Sequence, residues 1–210
     1  MELYPRPRKK SVMPKDYRNK ILTAAVKVFA QKGYVNTTMS DVSIHAKVGI
    51  GTLYNYFKNK DDLLLQCLRK MIEDEIQQIE AASADITDPI DKLETFFLKH
   101  SELIQSKPHV ARFMVVELRQ SESFYKRNPT YNPMHYYLSY LERLFSEAME
   151  NGRIKKVNID TLCYMVLGTM DFTFTQWLIS GKTLDIKPII MDVRSILRTG
   201  IGLSLIHISE

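Results

Sequence analysis

Apolar positions recur along the chain at helical spacing, and no segment shows the sustained two-residue alternation of strands between hairpin turns. Ile21, Leu22, Ala25, Val28 and Phe29 share one face of a first helix, and Gly33 supplies its stop. Thr37 or Thr38 can cap a short second helix through Ala46. A break at 47–49 precedes a third short helix from Ile50 to about Tyr56. Asn59 can cap a long fourth helix striped by Leu64, Leu68, Met71, Ile72, Ile76 and Ile79. The stripe continues well beyond what a three-helix module needs, so this helix is expected to link two domains.

Beyond a weak connector at 81–87, Asp88-Pro89 marks a strong helix start, a cap followed by proline at the first helical position. That helix is expected to reach about Ser106. Pro108 opens another through Val110, Phe113, Met114, Val116 and Leu118, and 128–133 is a turn-rich break. A helix over 134–149 closes at Asn151-Gly152. Asp160 can cap a long helix to Ile179, closed by Gly181, and Pro188 opens a last one to about Thr199. The pattern predicts an all-α protein of about nine helices. A flexible basic arm (1–14) precedes a three-helix helix-turn-helix domain (15–75). A larger helical domain (76–203) follows. The tail (204–210) does not continue the last helix convincingly, and no function is placed on it.

Composition adds a solvent and a sign. At 45% apolar, 10% aromatic and 25% charged, the chain resembles an ordinary soluble globular protein. No apolar run approaches the roughly 20 residues needed to cross a bilayer. The basic start has no apolar stretch behind it, which argues against a secretory leader. Cys67 and Cys163 stand far apart and outside any metal-ligand spacing, as in a reduced cytosolic protein. The net charge of +5 is uneven: residues 1–60 hold twelve Lys/Arg against three acids, and the rest holds 17 bases against 21 acids. A basic segment on a mildly acidic body suits either a polyanion partner or a solvated basic surface.

The run from Thr37 to Lys60 separates those alternatives. Two short helices with a three-residue break make a helix-turn-helix. Val42, Ala46, Val48 and Leu53 can pack the two together. Gly51, one step inside the second, permits close approach to a phosphate backbone. Thr38, Thr52, Tyr54 and Tyr56 offer hydroxyl donors for phosphates, and Lys58 and Lys60 add charge beside them. Helix-start N–H groups are further phosphate ligands. In the arm, Arg6, Arg8, Lys9 and Lys10 could enter a minor groove or serve only solubility.

Gly33-Tyr34, Thr37-Thr38 and the run Gly51-Thr52-Leu53-Tyr54-Asn55-Tyr56-Phe57-Lys58-Asn59-Lys60-Asp61-Asp62-Leu63-Leu64 resemble the N-terminal signature of the TetR/AcrR family of repressors. The resemblance covers roughly residues 15–71. It implies an α-helical homodimer in the bacterial cytoplasm that binds a palindromic operator and releases it when a small molecule enters the C-terminal domain. By position it implies that Ile50, Thr52 and Leu53 face the groove and that Tyr54, Tyr56 and Lys60 contact phosphate. This chain departs from the family in three places. Met39 stands where relatives often place a hydroxyl, so no hydrogen bond to phosphate is expected from it. Lys47 stands where the turn usually has glycine, at a cost of about 1 kcal/mol if the turn is left-handed. Gly49 stands where the recognition helix is often capped by serine. Lys47 could supply a different phosphate contact nearby.

In the C-terminal half, Val115-Val116-Glu117-Leu118-Arg119-Gln120-Ser121 resembles a segment of the acyl-CoA-responsive fatty-acid-degradation repressors of bacilli. So do Gly152-Arg153-Ile154-Lys155, Gly168-Thr169-Met170-Asp171 and Trp177. The resemblance implies a long-chain acyl-CoA as effector. An apolar tunnel for the acyl chain could be lined by Phe96, Phe113, Phe172 and Trp177, among others, or these could be plain core. Lys99, Arg112 and Arg119 are candidate cations for the phosphates, although Arg119 could equally pair with Glu117, Glu122 or Asp171. Leu162, Val166 and Met170, with Ile189, Val193 and Leu197, could form a four-helix dimer seam or be buried internally; a palindrome favours the seam.

No Gly-rich phosphate loop, metal-spaced His/Cys cluster or nucleophile motif is present, so no catalytic residue, metal site or cofactor is expected. Two other functions fit part of the pattern. One is a repressor of an efflux system that senses drugs or other hydrophobic compounds. The other is a helical interaction protein without specific DNA binding, which would not need the basic segment or the Tyr54/Tyr56/Lys60 set.

Overall fold

The computed structural model describes residues 15–201 except Leu118 and Pro133. The basic arm 1–14 and the tail 204–210 lie outside the described residues. Ten helices follow one another, with no strand among the described residues: α1 (Lys15–Asn36), α2 (Met39–Ala46), α3 (Ile50–Tyr56), α4 (Lys60–Ala82), α5 (Pro89–Ser106), α6 (Pro108–Glu117), α7 (Glu122–Arg127), α8 (His135–Glu150), α9 (Ile159–Ile179) and α10 (Lys187–Gly200). The all-α expectation holds, with one helix more than the pattern predicted. The addition is α7. Ser121 caps it by accepting from the Phe124 amide, and six residues are too few for periodicity to register.

Most boundaries follow local chemistry. Of the two threonines, Thr38 is the cap of α2. Asn59 caps α4 by accepting from the Asp62 amide at 2.8 Å. Asp88 caps α5 by accepting from Ile90 and Asp91. The cap of α9 is Asn158, two residues ahead of the expected Asp160, and it accepts from the Thr161 amide at 2.9 Å. Gly152 and Gly181 both have positive φ, as stops of this kind require. At Gly33 the backbone leaves helical geometry (φ 75°, ψ 160°), but helix resumes to Asn36.

Helices α1–α3 and the start of α4 make a head; α5 and α8 pack against the rest of α4, and α6 and α9 pack on these in turn, to make a body. Helix α4 runs unbroken through both, with residue 75 well inside it. The broadest packing between head and body is α1 on α6. Phe29 of α1 stacks on Phe113 of α6 at 6.1 Å, and both belong to one continuous apolar core. Helix α10 lies against α5, where Arg194 and Arg198 pair with Asp91 at 2.8 and 2.6 Å. No helix among the described residues is long and apolar enough to cross a membrane.

Candidate functional site

In the helix-turn-helix, Thr38 and Asp41 form a reciprocal capping box. The Asp41 amide donates to Thr38 Oγ1 at 3.1 Å, and the Thr38 amide donates to Asp41 Oδ2 at 2.9 Å. Lys32 holds Asp41 from α1 at 2.6 Å. That contact and the Thr38 bonds hold the Asp41 carboxyl well below the ordinary carboxylate range. The Thr38 hydroxyl, expected to offer a proton to phosphate, donates to Asp41 at 2.7 Å.

Lys47 adopts the left-handed conformation (φ 54°, ψ 47°) and closes α2 with its amide on Ile44 and Ser43 carbonyls. Gly49 caps α3 with no side-chain bond, so the cap supplies only backbone. A Cβ built on Gly51 would meet no other atom within 4 Å. Lys47, Gly49, Ile50, Gly51, Tyr54 and Lys58 are exposed, with Thr52 and Tyr56 half-buried beside them. Three residues absent from the sequence-derived set, Ile44, His45 and Asn55, are exposed on the same two helices. Helical spacing from Ser40 and Ile50 carries the signal for Ile44 and for Tyr54.

Two expected DNA contacts have other roles. Leu53 is 0% exposed and locks α3 into the head core, out of reach of any groove. Lys60 donates from Nζ to the carbonyls of Tyr34 and Val35 at 2.8 and 3.1 Å and lies over the Tyr34 ring at 4.4 Å. Burial pushes its pKa down. It ties α4 to the end of α1 rather than standing free as a cation.

The end of α1 is also the joint with the body. Tyr34 donates its amide to Glu117 of α6 at 3.2 Å and its hydroxyl to Asp61 of α4. Asp61 also accepts from Arg127 and Asn128 at 3.1 Å each. Burial raises the Asp61 pKa, but these three hydrogen bonds outweigh it and leave the carboxyl below its ordinary range. Burial, reinforced by Asp61, pushes the Tyr34 phenol up to about 12. Burial likewise lifts Glu117, against the opposing bonds from Gln120 and the Tyr34 amide.

In the body, the three candidate phosphate cations do not converge. Lys99 pairs with Glu102 at 2.8 Å, Arg112 donates to the Ala30 carbonyl, and Arg119 pairs with Asp171 and the Val115 carbonyl. Phe96, Phe113 and Trp177 are buried. Phe96 packs edge-on to Tyr137 at 5.9 Å and stacks on Tyr140 at 5.7 Å. Phe172 is 65% exposed and faces away from any tunnel. With Tyr164, Met165 and Ile179 it forms an outward apolar stripe on α9; Ile196 of α10 is exposed as well. The expected seam residues Leu162, Val166, Met170 and Leu197 point into their own chain instead, while Ile189 and Val193 are half-buried. The apolar pattern showed two apolar faces on α9 without showing which one the body would take.

A buried polar chain inside the body has no counterpart among the sequence-derived residues. Glu75 of α4 accepts from Tyr137 of α8 at 2.5 Å and contacts the His100 ring nitrogen of α5. His100 is a buried histidine satisfied by this contact. The available signal was Glu75 itself, a carboxylate on the apolar face between Ile72 and Ile79.

A family model described as bacterial regulatory proteins, tetR family, matches residues 21–67. A second, described as the C-terminal region of YsiA-like protein, matches residues 68–200. The chain belongs to the TetR family of bacterial regulatory proteins. It is 30% identical to the fatty acid metabolism regulator protein of Bacillus subtilis over 86% of this chain and 93% of that one. The crystal structure of the Bacillus subtilis transcriptional regulator FadR in complex with stearoyl-CoA superposes with a TM-score of 0.78 and 28% identity. It covers 88% of this chain and 99% of that chain. The fatty acid degradation regulator FadR of Bacillus halodurans superposes with a TM-score of 0.75 at 25% identity, over 86% and 93% of the two chains. The protein is thus a transcriptional regulator related to these fatty-acid regulators, and its family is one of regulators rather than enzymes.

Proposed function

We propose that the protein is a cytoplasmic homodimeric repressor of fatty-acid metabolism that grips a palindromic operator through α2 and α3. A long-chain acyl-CoA releases it. The observation that carries this reading is the near full-length similarity to a regulator whose crystal structure holds stearoyl-CoA. The DNA-binding head spans about 15–75, the effector and dimerisation domain about 76–203. Lys47, Ile50, Thr52, Tyr54, Tyr56 and Lys58 form the DNA face, joined by the backbone of Gly49 and Gly51. Polar groups and lysines on phosphate set affinity, and Thr52 with Ile50 reads bases. The outward stripe of α9 with Ile196 of α10 is the dimer seam, because a palindrome needs two heads and this apolar face is otherwise in water.

The test is fluorescence anisotropy with operator DNA from the regulated promoter, titrated against salt and then against palmitoyl-CoA. Sequence-specific binding that weakens steeply with salt is expected, followed by release at micromolar palmitoyl-CoA. Equal binding to all sequences would sink the repressor reading. An operator complex that resists acyl-CoA but yields to a drug-like hydrophobe would move the effector class to efflux control.

A further inference from the structure

The Glu75–His100–Tyr137 chain lies between two empty spaces. On one side is a groove of about 510 Å³ where α1, α4, α5 and α6 meet, with Val26, Met71 and Leu103 among its walls and Glu75 at its floor. On the other side is a cavity of only about 20 Å³, lined by His100 and Tyr137 and by Met114, Met134, Met170 and Phe174. The groove's rim is basic. Lys107 and His109 stand on it, and burial, then Lys27 and Lys107, depress the protonation of His109. Lys70 is also there but is neutralised by Asp74. Among the described residues no carboxylate pairs with Lys27 or Lys107.

A buried carboxylate is costly to keep, and well-packed apolar side chains of similar volume commonly serve stability as well or better. Here it lines the groove and is held by two partners from two other helices, both of which line the cavity. Three methionines round the cavity can repack around an incoming chain, because each has three rotatable bonds and a polarisable sulfur. The cavity is too small for an acyl chain while the gate is shut.

We propose that Glu75, His100 and Tyr137 form a gate in the effector's path. The phosphates of an acyl-CoA rest against Lys107 and His109 at the rim, and its acyl chain parts the gate to enter the methionine-lined cavity. Glu75 belongs to α4, whose first turn carries Lys60 and Asp61, so parting the gate strains the helix that holds the head. The inference rests on acyl-CoA being the effector.

The experiment uses the full-length protein in three arms. Calorimetric titration of the Lys107→Glu/His109→Glu double variant is expected to show palmitoyl-CoA bound on the order of tenfold more weakly than by wild type. Palmitate, which lacks the phosphates, is expected to bind both proteins equally. In stopped flow, Tyr137→Phe keeps the volume but removes one of the gate's bonds, and palmitoyl-CoA is expected to associate several-fold faster. In nitrogen-15-labelled wild type, the ring resonances of His100 are expected to shift when palmitoyl-CoA binds, a reading that survives if Tyr137→Phe fails to fold. Unchanged affinity in the rim variant would overturn the groove as the phosphate site. Unmoved His100 resonances in a saturated complex would overturn the gate. If wild-type protein binds no palmitoyl-CoA, the effector assignment itself fails, a result distinct from either of these.

Discussion

Arg112 donates its Nε–H to the carbonyl of Ala30 at 2.7 Å, while Glu117, five residues further along α6, accepts the amide of Tyr34. The Ala30 carbonyl and the Tyr34 amide would be partners in an uninterrupted helix. The turn at Gly33 lies between them, and α6 supplies a partner for each. The joint between head and body is therefore built on a break in α1. Gly33→Ala places a Cβ in open enough space, 3.9 Å from Glu117 Oε1, but forces a backbone conformation that is nearly glycine-only. It is expected to cost about 1–3 kcal/mol, read as a lower urea midpoint.

Lys47 carries the opposite strain. Glycine in its place relieves a left-handed lysine, and Lys47→Gly is expected to raise stability by up to about 1 kcal/mol. If its ammonium rests on phosphate, the same variant lowers the salt slope of operator binding by about one. A slope equal to wild type would place the side chain away from the DNA.

Tyr54→Phe and Lys58→Ala are expected to weaken binding to every DNA sequence by a similar factor, because both stand exposed on the proposed DNA face as phosphate contacts. Changes at Thr52 should instead alter preference between operator variants. Lys60→Ala is expected to lower thermal stability, since its ammonium binds the carbonyls of Tyr34 and Val35. Competition anisotropy over a panel of single-base operator changes, with melting curves, separates these effects.

Phe172→Glu puts a charge into the outward stripe of α9 without touching the core, because the side chain is exposed in the protomer. Sedimentation velocity is expected to show a folded monomer, and operator binding should collapse with it. A dimer that persists at micromolar concentration would locate the seam elsewhere.

The Asp61 cluster makes the joint sensitive to acid. The folded carboxyl sits below its ordinary range, so its stabilisation is present above the unfolded pKa near 4 and is lost as pH falls through the folded value. Asp61→Asn is expected to be less stable than wild type at neutral pH. The gap should close as pH drops below about 4. Urea midpoints measured from pH 7 to pH 3 check the sign.

Helix order, the caps at Asn59 and Asp88, and the left-handed turn at Lys47 were legible because each depends on a few adjacent residues. Which face of α9 turns inward was not, since Met165 and Val166 are equally apolar and only the packed body chooses between them. Lys60 was misread for a related reason. A lysine next to a DNA-binding helix has the composition of a phosphate contact, and its pairing with carbonyls 25 and 26 residues away leaves no local mark. Glu75 was visible as an anomaly, but its partners come from two helices that the sequence does not set side by side.

Helix α4 is also a rod of fixed length. From Glu75 to Lys60 it spans roughly 22 Å at 1.5 Å per residue, so a tilt of roughly 8° about its inner end carries the outer end about 3 Å. Operator half-sites lie one helical repeat apart, about 34 Å, and tolerate little error in that separation. In the proposed dimer, a displacement no larger than a methionine rotamer change would therefore put the two reading heads out of step with the DNA, with neither head unfolding.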